Sequence, residues 1–342
     1  TLYLVDLADN TLQDLSADNT YNYDSGDGSA HNFRIVFSDA DGPTAAVTYP
    51  NGGESFEVGD TYQVTWTTDD PSGIDNTVVS YSTDGGTNWT VIGTVQDDGT
   101  TINWQAPATL NNQTLFKIVS TDLMGNSTED QSDADNSIVD TTNPVTAVTY
   151  PNGGEDVEAG ATVQVTWGVT DLTHITQSVV EYSLNSGTDW TAIGTAGQDV
   201  FTIDWTVPAT LNATSLVRVT ATDEGSNTHL DASDAVFNIV DTTDPITAVT
   251  YPNGAEDIEA GSTIQVTWTV DDVTHTTQSV VEYSLNSGTD WTAIGTVGQD
   301  VFTIDWNVPT TLNATSLVRV TATDEGANTH LDASDAVFNI VD

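Results

Sequence analysis

Aspartates recur at a fixed interval of 101 residues through most of this 342-residue chain. Asp122, Asp130, Asp133 and Asp140 return as Asp223, Asp231, Asp234 and Asp241, then as Asp324, Asp332, Asp335 and Asp342. Asn126, Asn227 and Asn328 accompany them, and Asp70, Asp171 and Asp272 mark one more position. Oxygen donors of this kind suit a hard divalent cation, since Ca²⁺ takes about six to eight oxygens from carboxylates, amide carbonyls and water. The expected ligands, at the junctions between repeats, are Asp70, Asp122, Asp140, Asp171, Asp223, Asp241, Asp272 and Asp324. No EF-hand loop or nonapeptide calcium motif is present, so separate loops must bring the ligands together. The competing reading is an acidic rim that faces water.

Other chemistries have weaker support. Glycoside hydrolysis needs two carboxylates across a cleft, but 51 Asp and Glu make some plausible pair inevitable, so the pattern discriminates nothing. His31, His174, His229, His275 and His330 stand singly in polar stretches, and the first repeat keeps none of the last four. They read as solvated surface histidines. Lys117, Arg218 and Arg319 share one register position, and Arg34 lies in an apolar run before the repeats; each is expected to pair with a carboxylate. Ser82-Thr83-Asp84-Gly85-Gly86-Thr87-Asn88-Trp89 resembles the Asp-box hairpin of sialidases, but Asn185 and Asn286 replace Asp84 in the later copies, which favours a structural turn. Glycosylation sequons begin at Asn112, Asn212 and Asn313. No phosphate-binding glycine loop or metalloprotease motif appears, and no catalytic role is expected.

Composition narrows the partners. Four Lys and Arg leave a formal net charge of −47, which opposes binding to nucleic acid or to anionic membrane surfaces, because both depend on basic residues. The absence of Cys removes any disulfide framework. No run approaches the roughly 18 to 20 apolar residues that span a bilayer, and no secretory leader opens the chain. Its start at Thr1 reads as a processed or excised piece. Disorder is disfavoured, since 37% of residues are hydrophobic and nine are Trp.

The elements that must position these residues follow from the same interval. Trp66, Trp167 and Trp268 are spaced by it, as are Trp89, Trp190, Trp291 and Trp104, Trp205, Trp306. The frame reads 40–140, 141–241 and 242–342, with 1–39 left over. The second and third copies differ at 14 of 101 positions, whereas the first and second agree at about half. Within a copy, 45–49, 62–67, 78–82, 90–94, 101–104, 115–121 and 137–140 are short, rich in Val, Ile, Thr and aromatics, and separated by Gly, Asn, Asp and Pro. About seven strands per copy predict an all-β chain of tandem Ig-like β-sandwich domains, with Val64 and Trp66 facing the core. Residues 1–39 read as the last three strands, at 2–5, 21–23 and 33–37, of a preceding, incomplete β-domain.

The combination Tyr49-Pro50-Asn51-Gly52-Gly53-Glu54, Val64-Thr65-Trp66, Ser82 to Trp89, Trp104 and Pro107 resembles the tandem Ig-like or fibronectin-like repeats of large secreted bacterial cell-surface proteins, over residues 40–342. The junctions Asp140-Thr141-Thr142-Asn143-Pro144 and Asp241-Thr242-Thr243-Asp244-Pro245 resemble linkers of such arrays, where an Asp often helps hold calcium; Asp39-Ala40-Asp41-Gly42-Pro43 departs from the pattern. The resemblance implies an extracellular, non-catalytic stalk of an adhesin or a filament subunit. Its partners would be other copies of itself, other domains of the same chain, or a glycan or protein at a distal tip. The alternatives are a spacer or carbohydrate-binding region of a secreted hydrolase and a halophile surface-layer or matrix protein.

Overall fold

The computed structural model describes residues 1–8, 11–23 and 32–342, and every regular element among them is a β-strand. Contacts gather the chain into two compact units. One comprises Thr1–Pro144, Thr170–Thr176 and Thr222–Thr228; the other comprises Val145–Val169, Gln177–Ala221 and His229–Asp342.

In the first unit, β1 (Leu2–Asp6), β2 (Thr11–Asp14) and β3 (Phe33–Phe37) form one antiparallel sheet in the order β2-β1-β3. One face carries the buried Val5 and Val36, and the other exposes Ile35 and Phe37. The predicted strand at 21–23 does not form, and its place in the sheet goes to β2. The Tyr21 hydroxyl bonds to Thr11 and Asp6, and both Tyr21 and Tyr23 pack edge-on against Phe33, so these side chains cover the sheet instead of extending its ladder.

The first repeat supplies β4 (Thr44–Tyr49), β5 (Ser55–Glu57), β6 (Thr61–Asp69), β7 (Ile74–Ser82), β8 (Thr90–Gln96), β9 (Thr101–Gln105), β10 (Asn111–Asp122), β11 (Ser127–Gln131) and β12 (Asn136–Val139). A three-stranded sheet, β4-β6-β9, faces a sheet ordered β5-β12-β10-β7-β8, in which β11 also pairs with β10. The seven predicted strands are present. The two unpredicted ones are too short or too polar to show an apolar alternation: β5 is three residues long with one core residue, Phe56, and β11 is the polar run Ser-Thr-Glu-Asp-Gln. Each is defined by its partner, β5 by a parallel pairing with β12 and β11 by β10.

Strand periodicity builds the core. On β6, Val64 and Trp66 point inward, as the alternation predicted, and on β10 the inward row is Phe116, Ile118, Ser120 and Asp122. Trp104 meets Phe116 edge-on at 4.8 Å and Phe56 at 5.3 Å, a geometry favoured by the ring quadrupoles. The same strand order recurs in both later copies, and each has its own hydrophobic cluster around Trp167 and Trp205 or Trp268 and Trp306. The inward row of β10 and its equivalents ends in an aspartate, which delivers a carboxylate to the end of each sandwich.

Candidate metal centre

Asp223 ends the strand Asn212–Asp223, in phase with the inward Val217, Val219 and Ala221, and is therefore buried. Its carboxylate closes the following turn by accepting from the Asn227 amide N–H (2.8 Å) and from Asn227 Nδ2 (3.1 Å). Asn227 Nδ2 also donates to the carbonyl of Asp140 at 3.0 Å. The backbones come so close that a Cβ on Gly225 would lie 2.4 Å from that carbonyl oxygen. Asp140 is thus drawn in beside Asp223, and Asp171 arrives from the loop after the strand Thr162–Thr170.

Carboxylate oxygens of Asp140, Asp171 and Asp223 lie within 4.8 Å of one another, and Asp241, Asp272 and Asp324 repeat the arrangement. Each triad lies within one compact unit. The Thr173 hydroxyl faces Asp140 Oδ2 (2.6 Å) and Asp171 Oδ2 (2.8 Å), but its one proton serves a single carboxylate at a time. Burial pushes the Asp140 carboxyl up from its ordinary value, and the charges of Asp171 and Asp223 add to this against hydrogen bonds from Thr173 and Thr142. Asp324 is raised in the same way, by burial and by the charges of Asp241 and Asp272.

Buried like charges are relieved by a proton or by a compensating cation, and the four Lys and Arg side chains lie against other partners. Arg34 donates to the Ser72 carbonyl; Lys117 lies 4.0 Å from Glu129; Arg218 and Arg319 hold Glu181 and Glu282 at 2.6 Å. An oxygen-only donor set fits a hard ion such as Ca²⁺ or Mg²⁺ and lacks the nitrogen or sulfur that marks a zinc site. Water and backbone carbonyls would have to complete the shell.

Six of the eight predicted ligands therefore come together. The terminal aspartate of one repeat joins the loops of the following repeat, not those of its own. Among the described residues, Asp70 and Asp122 are not gathered into a carboxylate triad. Asp122 closes its turn through Met124 and Asn126, and Asp70 binds the amide and hydroxyl of Ser72, the residue whose carbonyl takes the Arg34 guanidinium. At the first junction a side-chain cation thus already lies against that loop.

The remaining candidates resolve into structural contacts. Ser82, Asp84 and Asn88 form a closed hydrogen-bonded turn, with Asn185 and Asn286 in the same role later. The predicted ion pairs gain a second contact, because Lys117, Arg218 and Arg319 lie 4.5, 4.3 and 4.3 Å over the rings of Trp89, Trp190 and Trp291. His174 and His275 are exposed, as expected of surface histidines, whereas His229 and His330 are half-buried, and their Nδ1 atoms accept from the amides of Thr146 and Thr247. They fill a gap between sheet edges that no strand pairing closes. His275 pairs with Asp300 at 2.9 Å, and His31 lies outside the described residues. Asn212 and Asn313 of two sequons are bonded to the carbonyls of Leu184 and Leu285, whereas Asn112 is exposed.

One functional group escaped the sequence reading. Glu57 and Glu158 accept three hydrogen bonds each from Thr141 and Thr142 or Thr242 and Thr243. Burial opposes ionisation of both glutamates, but these donors, with a further hydrogen bond from the Asp140 or Asp241 side chain, outweigh it and leave their pKa values lowered. The recurrence of Glu57, Glu158 and Glu259 at the repeat interval was the available signal.

Strand order and the paired sheets define the class: a tandem array of Ig- or fibronectin-type β-sandwiches. No family model and no curated protein matches the chain. Among solved structures it is similar to the fibronectin(III)-like modules of Clostridium thermocellum CbhA, at 16% identity over 57% of this chain and 94% of that one, with a TM-score of 0.24. Domains of titin match at 13% identity over 86% and 99%, with a TM-score of 0.33. Immunoglobulin domains of Sidekick-1 match at 10% over 89% and 60%, also with a TM-score of 0.33. The class rests on the chain's own topology and not on these distant likenesses.

Proposed function

We propose that the chain is a non-catalytic structural array of an extracellular surface protein, serving as the stalk of an adhesin or as a filament subunit. Each 101-residue repeat would be one module, following the sheet formed by β1, β2 and β3, and Ca²⁺ would sit at the two aspartate triads. The observation that carries this reading is the pair of matching triads, each with two buried carboxylates and one half-buried one, joining the end of one repeat to loops of the next. A bound ion would replace their repulsion by attraction and tie the two segments together. The partners are further modules of the same protein, other copies of it, and a glycan or protein at a distal tip.

A sugar-binding role would need open aromatic faces. Trp66, Trp104 and their equivalents are buried, and Trp89, Trp190 and Trp291 are half-buried under a basic side chain, which favours the structural reading. Calorimetric titration of calcium into chelator-treated protein should give two sites and a rise in Tm. Asp171→Asn and Asp272→Asn should each weaken one site. No heat, together with a Tm indifferent to calcium, would refute the calcium assignment. Negative-stain imaging of the native material would separate fibres, lattices and single particles, and glycan-array binding would refute a purely structural role.

A further inference from the structure

Residues 140–142 and 241–243 look like linkers in the sequence, yet the amides and hydroxyls of their threonines are engaged. The Thr141 amide donates to Glu57 Oε1 at 2.8 Å, its hydroxyl to Oε2 at 2.8 Å, and the Thr142 hydroxyl to Oε1 at 3.0 Å. The Thr142 amide turns back to Asp140 Oδ1 at 3.0 Å, and the Asp140 carbonyl accepts from Asn227. In the other unit, the Thr242 amide, Thr242 hydroxyl and Thr243 hydroxyl reach Glu158 at 2.9, 2.8 and 2.9 Å. The Thr243 amide closes on Asp241 at 3.1 Å.

Register explains why the glutamate is in place. Glu57 ends β5, which runs parallel to β12 with Glu57 opposite Val139, and the Val58 amide bonds to the Val139 carbonyl at 2.9 Å. Glu158 stands opposite Val240 in the same way. The short parallel pairing therefore delivers a carboxylate beside the point where the chain leaves the sheet. Two adjacent threonines supply two hydroxyls and one free amide, which fill the oxygens of that carboxylate. Charged acceptors make the stronger hydrogen bonds, and a segment whose amides and hydroxyls are already held gains less from opening to water.

We propose that Glu57 and Glu158 are straps that hold these exit segments in the fold without any metal ion, keeping the chain between successive repeats closed to proteases. The Asp140 and Asp241 side chains also touch Glu57 and Glu158, but the threonine donors need no metal ion, so chelated samples distinguish this proposal from the calcium reading. The first junction has Ala40 and Asp41 where the threonine pair stands later, and it lacks the hydroxyl donors.

The test is hydrogen exchange by mass spectrometry on the full chain in chelator, over peptides spanning 138–145 and 239–246, alongside limited proteolysis with a non-specific protease. In the unsubstituted protein both peptides should exchange at least about tenfold more slowly than an unstructured chain. Glu57→Ala should raise exchange and cleavage about tenfold or more in the first peptide only, and Glu158→Ala in the second only, so that each variant controls for the other. If an alanine variant lowers Tm appreciably, Thr141→Val with Thr142→Val removes the hydroxyl donors and leaves β5 intact. Unprotected peptides in chelator, protection that appears only with calcium, or protection unchanged in the variants would each overturn the proposal.

Discussion

At the scale of single residues, the same sequence position acquires different chemistry in different copies. Asp84 accepts from the amide and side chain of Asn88 and from Ser82, which lowers its pKa from the ordinary 3.8 to about 2. Its folded-state value is depressed, so the stabilisation it provides is present above the ordinary carboxylate range and lost as pH falls towards 2. In the corresponding turns Asn185 and Asn286 take the place of Asp84 and donate to the carboxylates of Asp189 and Asp290, so the charge sits at the other end of the turn. An NMR titration of the Asp84 side chain should show a midpoint near 2, and Asp84→Asn should abolish this part of the acid sensitivity. A midpoint in the ordinary range would mean that the turn does not hold the charge.

At the scale of elements, strand alternation decides which polar groups become buried. The row that carries Val217, Val219 and Ala221 inward also carries Asp223 inward, so the core of a sandwich and the acidic end of that sandwich are consequences of one periodicity. The core side of this bargain is large. Trp205 is buried between Tyr182, at 5.3 Å, and Phe237, at 6.1 Å. Trp205→Ala should cost about 3–5 kcal/mol in chemical denaturation, through lost burial and the cavity left behind. A loss below about 1 kcal/mol would show that the neighbouring strands collapse into the space.

For the whole molecule, the charge of −47 is the dominant fact. Self-repulsion at this density keeps a chain soluble and opposes compactness, and it is screened by salt over a Debye length of about 8 Å at physiological ionic strength. Raising monovalent salt from about 0.01 M to 0.15 M should therefore raise Tm in chelator, and calcium should add to it at concentrations far too low to screen. Scanning calorimetry along both series checks this. A Tm indifferent to salt would mean that the folded surface already spaces its carboxylates beyond mutual reach.

Much of this was legible in the amino-acid order. The repeat, the alternation of Val64 and Trp66, the turn around Asp84 and the all-β class depend on local backbone geometry and on turn residues, which are encoded within a few positions. The aspartates at 171, 223, 272 and 324 were legible as a recurring set for the same reason. What the tertiary structure alone decided was who meets whom. It joined Asp140 to the loops of the following repeat, left Asp70 and Asp122 apart from any triad, set His229 against the backbone of Thr146, and placed Glu57 under Thr141. Those contacts depend on which end of a sandwich each loop occupies and on the register of a three-residue parallel strand, and recurrence at the repeat interval marks the residues without saying which of them meet.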